Sequence, residues 1–105
     1  MRKISGHIHI YVNVFSLKRE KFVAACDEDI LGKTFREGKM KLELLENFYK
    51  GDRLTVKEAI QILQSADIAN LSGKCIVNAT VDSGLADNRS IIFISGVPHL
   101  QIIKF

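Results

Sequence analysis

Residues 8–26 predict a β-hairpin near the start of the chain. Across residues 8–15, aliphatic residues alternate with polar or aromatic ones, and this period of two is typical of a strand with one buried face. A charged turn at residues 18–20 follows, and the apolar run 21–26 predicts a second strand that is buried on both faces and central in its sheet. We expect the aliphatic face of the first strand to enter the core. Its members are Ile8, Ile10, Val12 and Val14.

Two helices are predicted in the second half of the chain. Thr55 and Glu58 form a capping box, because the threonine can accept a hydrogen bond from the third helical amide while the glutamate reaches back to the Thr55 amide. Apolar residues then recur at intervals of three and four up to Leu63, as on the buried side of an amphipathic helix. A second helix is predicted over residues 74–83, with Gly84 as a left-handed C-terminal cap.

The other segments are shorter. Residues 27–31 predict a single helical turn closed by Gly32, because the acids at its start suit a helix N-terminus. Alternation over residues 40–44 predicts a third strand with one solvated face. The remaining predictions are a basic loop over 34–38, a turn-rich connection over 47–53, an irregular joint over 66–72, a polar loop over 86–90, a buried strand over 91–94, a turn over 96–98 and a last strand over 99–105.

The order of these elements predicts the fold class. Strands come first, helices follow and strands return, without the regular alternation of strand and helix that builds a parallel α/β sheet. We therefore expect an α+β fold in which residues 1–105 form a single domain. The predicted architecture is a mixed or antiparallel sheet of about five strands, with an N-terminal hairpin and two helices packed on one face.

Composition favours a soluble globular domain. Of the 105 residues, 47% are hydrophobic and 26% are charged, which suits one folded core and does not suit a disordered chain. No apolar run approaches the roughly 20 residues that span a bilayer, so we expect a cytoplasmic protein without membrane contact. The net charge of +3 permits contact with nucleic acid, although the chain has no DNA-specific motif.

The segment Gly32-Lys33-Thr34 is similar to the end of a phosphate-binding P-loop, but the rest of that motif is missing. The motif needs a glycine five residues before Gly32, where this chain has Asp27, and the residues between them include further acids. Carboxylates there would repel a nucleotide phosphate, which argues against nucleotide hydrolysis. The consecutive acids at 27–29 point in different directions on a helical turn, so a solvated, cap-stabilising turn is favoured over a metal site.

The cysteine and histidine residues leave an enzymatic or metal-binding alternative open. Cys26 and Cys75 fit no zinc spacing and lie in apolar runs, as small buried side chains do. A nucleophilic role for Cys26 needs a lowered pKa and a base, which His99 could provide. His7 and His9 share one strand face and could bind a metal ion with His99 as the third ligand. We assign no catalytic residue and no cofactor from these patterns and expect a protein that is not an enzyme.

The polar and aromatic face of the first strand could instead bind RNA. Aromatic and amide side chains on a strand, here ending with Phe15, are the ingredients of a platform on which bases stack. Cations from the hairpin tip and from the segment after Gly32 would then meet the phosphates, unless packing covers this face. The predicted RNA-facing residues are His9, Tyr11, Asn13, Lys18, Arg19, Lys39 and Lys41.

Three blocks of sequence resemble an archaeal protein family catalogued as domain of unknown function 424. The blocks are residues 26–38 (CDEDILGKTFREG), 69–73 (ANLSG) and 96–101 (GVPHLQ), and the resemblance runs over essentially the whole chain. This chain departs from the family pattern at Leu71-Ser72-Gly73 and at Ser95-Gly96, where paired glycines are expected. The resemblance implies a small soluble α/β-type domain with no established activity. It also implies an association with translation proteins, notably an initiation-factor subunit.

The resemblance also implies where a binding site would lie. Polar residues in the loops of the first and last blocks should form it, since function usually sits in loops on a rigid scaffold. We therefore expect residues 32–38 to lie beside residues 96–101, because side chains more than about 15 Å apart could not share one ligand. The predicted binding residues are Lys33, Thr34, Arg36, Glu37, Asn70, His99 and Gln101.

The sequence thus favours a non-catalytic domain that binds RNA, the ribosome or a translation initiation factor, with Lys33 and Arg36 in contact with the partner. One alternative is a small metal- or thiol-dependent enzyme that uses His99 with His7 and His9, or Cys26. Another is a protein-interaction module whose exposed last strand pairs with a partner or with a second copy.

Overall fold

The computed structural model describes residues 8–104. Its helices are α1 (Glu46–Tyr49), α2 (Val56–Leu63) and α3 (Lys74–Asp82), with single 3-10 turns at Glu28–Ile30 and Asn88–Ser90. Its strands are β1 (His9–Leu17), β2 (Glu20–Asp27), β3 (Thr34–Glu37), β4 (Met40–Glu43), β5 (Asp52–Thr55), β6 (Ile68–Ser72), β7 (Ile92–Ile94) and β8 (Val97–Ile103). His7 of the predicted metal site and Phe105 of the predicted last strand lie outside the described residues.

Six strands form one mixed sheet in the order β5-β1-β2-β6-β8-β7. Strands β2 and β6 run parallel, and every other neighbouring pair is antiparallel. Within the described part of the chain, strands β3 and β4 pair only with each other, in a separate two-stranded sheet. The α+β class is confirmed. The expected strand number was too low, because three short strands lie in segments predicted as a loop, a connection and a joint.

The predicted N-terminal hairpin is confirmed as β1–β2. A two-residue turn joins the strands, and its residues Lys18 and Arg19 have φ values of +49° and +73°, which is typical of the type I′ turns that match the twist of a hairpin. Strand β2 lies between β1 and β6, as expected of a strand buried on both faces. Ile8 and Val14 are exposed, contrary to expectation, since both lie beyond the part of β1 that β5 flanks.

Helices α2 and α3 pack on one face of the sheet, which we name the helix face. Both helices were predicted, and both hydrogen bonds of the Thr55–Glu58 capping box are present. Gly84 has a φ of +78°, as expected of a left-handed cap. The buried core on the helix face consists of Ile10, Val12, Val23, Ala25, Ala59, Leu63, Ala66, Ala69, Leu71, Ile76, Val77 and Leu100.

The opposite face, which we name the hairpin face, is partly covered by α1 and by the β3–β4 hairpin. This second core was not predicted, because the polar and aromatic residues of β1 are typical of a solvated face. Its presence leaves the centre of the sheet buried on both sides. The buried residues of the hairpin face are Ala24, Cys26, Leu42, Leu44, Tyr49 and Ile94.

Three segments fold differently from their predictions. The predicted joint over 66–72 contains β6, a strand between β2 and β8; because both its faces are covered, it has no alternation by which a strand could be recognised. The predicted basic loop over 34–38 contains β3, which pairs with β4. The connection over 47–53 contains most of α1 and the start of β5.

The C-terminal strands were predicted with different boundaries and burial. Strand β7 is the edge strand of the sheet, so Ile92 and Phe93 are more than half exposed where a buried strand was expected. The turn lies at Ser95–Gly96, and β8 begins at Val97. None of the helices within residues 8–104 is long and apolar enough to cross a bilayer.

Candidate nucleic-acid interface

The three sequence blocks meet at one end of the sheet. The first block begins where β2 ends, the second finishes β6 and the third begins β8. Because β2 and β6 are parallel and β8 is antiparallel to β6, Asp27, Ser72 and His99 reach the same end. We refer to it as the motif end. The opposite end, where Lys18 and Arg19 join β1 to β2, is the turn end.

At the motif end, Asp27 caps helix α3. The Cys75 and Ile76 amides donate hydrogen bonds of 2.8 and 3.0 Å to its carboxylate. A negative charge at this position is stabilised by the dipole of the helix N-terminus. Burial raises the pKa of Asp27, and the two amide hydrogen bonds oppose that rise. Only glycine fits at position 73, since its φ is +113° and a Cβ atom there would lie 2.4 Å from Asp27 Cγ. The sequence predicted that the acids at 27–29 would stabilise their own solvated helical turn. For Asp27 that prediction is wrong, because its side chain is buried and caps α3 instead.

The neighbouring groups do not form a metal site. The Arg53 guanidinium donates a 3.1 Å hydrogen bond to Glu28 and lowers the pKa of that carboxyl. Within residues 8–104, no three His, Cys, Asp or Glu side chains lie close enough to hold a metal ion. His9 and His99 lie on strands separated by β2 and β6, which places them about 14 Å apart. The hypothesis of one ion between them is wrong, and His7 lies outside the described residues.

Ser72 and His99 form a polar pair on the hairpin face, beside the buried Tyr49. Ser72 Oγ lies 2.8 Å from His99 Nδ1, and burial raises the pKa of the Tyr49 hydroxyl. Burial lowers the pKa of His99, so its imidazole is neutral near pH 7. Ser72 has no exposed surface. His99 therefore satisfies the buried Ser72 hydroxyl, and that hydroxyl has no access to a substrate.

The environment of Cys26 opposes a nucleophilic role. Burial, followed by the charges of Asp27 and Asp29, raises the pKa of this thiol to about 12, whereas a nucleophilic cysteine needs a lowered value. Cys26 pairs with Ser72, which pairs with His99, so the proposed base lies two strands away, at about 10 Å. Cys26 therefore has neither the lowered pKa nor the neighbouring base that a nucleophilic thiol requires.

The β3–β4 hairpin presents the predicted cations of the first block. Phe35 and Leu42 attach it to the hairpin-face core, and on its outer side Arg36 lies directly opposite Lys41. Thr34 likewise lies opposite Glu43. Within residues 8–104, Lys41 alone among these cations forms an ion pair, at 3.2 Å to Glu43. The exposed cations of this hairpin and the residue before it are Lys33, Arg36, Lys39 and Lys41.

The same hairpin contacts the turn before the third block. The Ser95 amide donates a 2.6 Å hydrogen bond to Glu37 Oε1, and the Ser95 hydroxyl donates to the Arg36 carbonyl. The first and last blocks are therefore neighbours, as expected. Lys33 and Thr34 line a shallow cavity of about 350 Å³ between the start of β3 and the segment that follows β4.

The remaining predicted binding residues lie apart from these cations. Gln101 Nε2 donates a 2.8 Å hydrogen bond to Asn70 Oδ1, and both lie further from the motif end than Ser72 and His99. His99 is half-buried and bound to Ser72. The seven predicted residues thus divide into an exposed group at residues 33–37 and a second group on β6 and β8, in which Asn70 and His99 are half-buried and Gln101 is exposed.

The predicted base-stacking platform is not open at its centre. Helix α1 lies over it, and Asn13 Nδ2 donates a 3.0 Å hydrogen bond to the Phe48 carbonyl. Tyr11 packs against the hairpin-face core, and His9 is half-buried. The predicted cations are also divided, with Lys18 and Arg19 at the turn end and Lys39 and Lys41 near the motif end. The nine residues of β1 separate these ends by about 30 Å.

Sequence reasoning missed an aromatic pocket at the turn end. Phe15 stacks on Phe48 with ring centres 5.7 Å apart, and Phe22 lies edge-on to both rings at 6.0 Å. With Ser16 and Leu17 they line an open cavity of about 310 Å³. The pairing of Phe15 with Phe22 follows from the two-residue turn and was available from the sequence. The position of Phe48 could not be predicted from the sequence, because it depends on how α1 packs on the sheet.

Comparisons with known proteins agree with this description. Among solved structures, the chain is similar to the crystal structure of an uncharacterized conserved protein from Methanopyrus kandleri, with a TM-score of 0.73, 27% identity and 90% of each chain covered. A search of curated proteins finds no significant match. The family model described as "protein of unknown function (DUF424)" matches residues 15–105. The chain therefore belongs to the DUF424 family, as its three sequence blocks indicated.

Proposed function

We propose that this protein is a non-catalytic RNA-binding domain whose β3–β4 hairpin contacts phosphates. The observation that carries the proposal is the cross-strand pairing of Arg36 with Lys41 on the exposed side of the hairpin. Like charges placed opposite each other destabilise a pair of strands. A polyanionic ligand would relieve this repulsion, and phosphates supply the negative charge.

The surroundings of this pair support the same ligand. Lys33 and Lys39 are exposed beside it, so four cations project from one small element. The ion pair between Lys41 and Glu43 is exposed, and such pairs contribute little, so a phosphate can replace the carboxylate at small cost. A local concentration of cations also attracts a polyanion over longer distances at low salt.

The cellular setting rests on the family resemblance. That resemblance implies an association with translation proteins, notably an initiation-factor subunit. We therefore propose a cytoplasmic role in which the RNA belongs to the ribosome or to another component of translation. In this role the protein positions or protects RNA and transforms no substrate. Burial and neighbouring carboxylates raise the pKa of both thiols, to about 12 for Cys26 and about 11 for Cys75. Ser72, the partner of His99, has no exposed surface.

Equilibrium binding of a fluorescent single-stranded RNA tests the proposal. The double variant Arg36→Gln/Lys41→Gln should bind about tenfold more weakly at low salt, because two exposed charge pairs contribute roughly 0.5–1 kcal/mol each. Lys57→Gln is the matched control, since Lys57 is an exposed cation on α2, on the far side of the sheet. Equal losses in both variants, or no RNA binding by the wild-type protein at low salt, would contradict the proposal.

A second candidate is a protein-interaction module, favoured by the outer edge of β8. Strand β7 pairs only with Val97–Pro98–His99, so within residues 8–104 the edge beyond His99 has no strand partner. Ile103 on this edge is 56% exposed. Such an edge can take an extended peptide as an added strand. Replacing Ile103, whose amide points away from β6, by proline would then abolish capture of a protein partner and leave RNA binding intact; unchanged capture would exclude this edge.

A further inference from the structure

We propose that the aromatic pocket at the turn end takes a nucleobase of single-stranded RNA, whose neighbouring phosphates pair with Lys18 and Arg19. This inference rests on the proposed function and deepens it, because it specifies the strand state of the RNA and adds a second contact. The two contacts lie at opposite ends of the sheet.

The shape of the pocket suits a planar ring. Its walls are the rings of Phe15, Phe22 and Phe48, and all three are partly exposed. A volume of about 310 Å³ is at the lower limit for a small-molecule pocket. It accommodates a single base more readily than the row of side chains that an amphipathic helix would present. Ser16 is exposed at the rim, where its hydroxyl can bond to a base edge.

The adjoining turn supplies the charge. Lys18 and Arg19 directly follow Leu17, which lines the pocket and is 65% exposed. Both cations are exposed, and neither forms an ion pair within residues 8–104. Lys18 and Arg19 are therefore one and two residues from Leu17 in the pocket wall. Both can pair with the phosphates beside a base bound in the pocket.

The backbone of the turn gives an independent reason to assign a role to these cations. Both residues have positive φ values, +49° and +73°, a conformation that residues with a Cβ atom rarely adopt and that favours Asn-Gly. The chain holds lysine and arginine there although smaller residues would relieve the strain. Strain kept in a short turn is often associated with binding.

The pocket requires the RNA to be single-stranded. Bases within a duplex are stacked and paired, so none can enter a pocket without being extracted, whereas bases of a single strand stack readily on aromatic side chains. The cations of the β3–β4 hairpin lie about 30 Å from the pocket, measured along β1. One strand of several nucleotides can therefore contact both ends of the hairpin face.

The test uses a single-stranded RNA of about 12 nucleotides and the same RNA with abasic residues at its central positions. The wild-type protein should bind the intact RNA about tenfold more tightly than the abasic RNA, as expected for loss of one stacked base. The variant Phe48→Leu should bind both RNAs equally, at the level of the abasic RNA. Thermal unfolding checks that the variant is folded, and the comparison of the two RNAs on the wild-type protein needs no variant.

Each outcome separates the inference from the proposed function. If the wild-type protein binds intact and abasic RNA equally and still depends on Arg36 and Lys41, base stacking is excluded and the phosphate contact stands. If it binds neither RNA at low salt, both proposals fail. If an acidic amphipathic peptide binds more tightly than RNA, and Phe48→Leu abolishes that binding, the pocket belongs to a protein partner and the inference is overturned.

Discussion

A single carboxylate, that of Asp27, joins three elements of the fold. It lies at the end of β2, accepts two amide hydrogen bonds from the start of α3 and occupies the space left by the missing side chain of Gly73 after β6. Burial raises its pKa, and the hydrogen bonds from the helix amides oppose that rise because they favour the charged form. At the scale of residues, the role of Asp27 in the first sequence block is therefore structural: its carboxylate holds β2, α3 and the end of β6 together.

Replacing Asp27 by asparagine tests this role. One oxygen acceptor and the negative charge are lost, so we expect the free energy of unfolding to fall by about 1–3 kcal/mol, as for a buried hydrogen bond to a charged group. Urea denaturation gives the value. The control is Asp29→Asn, which alters an exposed acid and should change stability by no more than about 0.5 kcal/mol. Equal effects would contradict the capping role.

The neutral state of His99 predicts a dependence of stability on acid. Burial lowers its pKa below the ordinary value of 6.5, so as pH falls through that value the unfolded chain takes up a proton that the folded protein does not. Stability from His99 is therefore complete above pH 6.5 and decreases towards the lower pKa of the folded state. The difference in unfolding free energy between the wild type and His99→Gln should shrink over this range; a constant difference would refute the assignment.

At the scale of elements, the β1–β2 turn combines strain with charge. Lys18 and Arg19 occupy left-handed positions that Asn-Gly would fill without strain. The β3–β4 hairpin combines a like-charge pair with exposure in a similar way. In both elements, local stability is lower than another sequence would provide, which is expected where residues are kept for binding.

The double variant Lys18→Asn/Arg19→Gly tests this trade-off. It should stabilise the protein by about 1 kcal/mol, because the turn then adopts its conformation without strain. It should also weaken binding of single-stranded RNA, because two cations are lost. Chemical denaturation and RNA binding measured on the same preparation decide the matter. A stabilised protein with unchanged affinity would show that the turn cations do not contact the RNA.

At the scale of the whole molecule, the local patterns were predictable and the covering of the hairpin face was not. The β1–β2 hairpin, α2 and α3 follow from alternation, a capping box and a glycine cap. Strand β6 has no pattern of its own, because it is covered on both sides, and α1 gains its importance only by packing on Phe15 and Asn13. The exposed cations Lys33 and Arg36 were identified from sequence, whereas the aromatic pocket needed the packed position of Phe48.

The salt dependence of single-stranded RNA affinity tests the central claim most directly. Measured from about 50 to 200 mM salt, the logarithm of affinity should fall linearly with the logarithm of salt concentration. The slope should become shallower by about 1.4 in Arg36→Gln/Lys41→Gln, since each phosphate contact on a single strand contributes about 0.7. An unchanged slope in that variant, or affinity of the wild type that does not respond to salt, would contradict phosphate recognition by the β3–β4 hairpin.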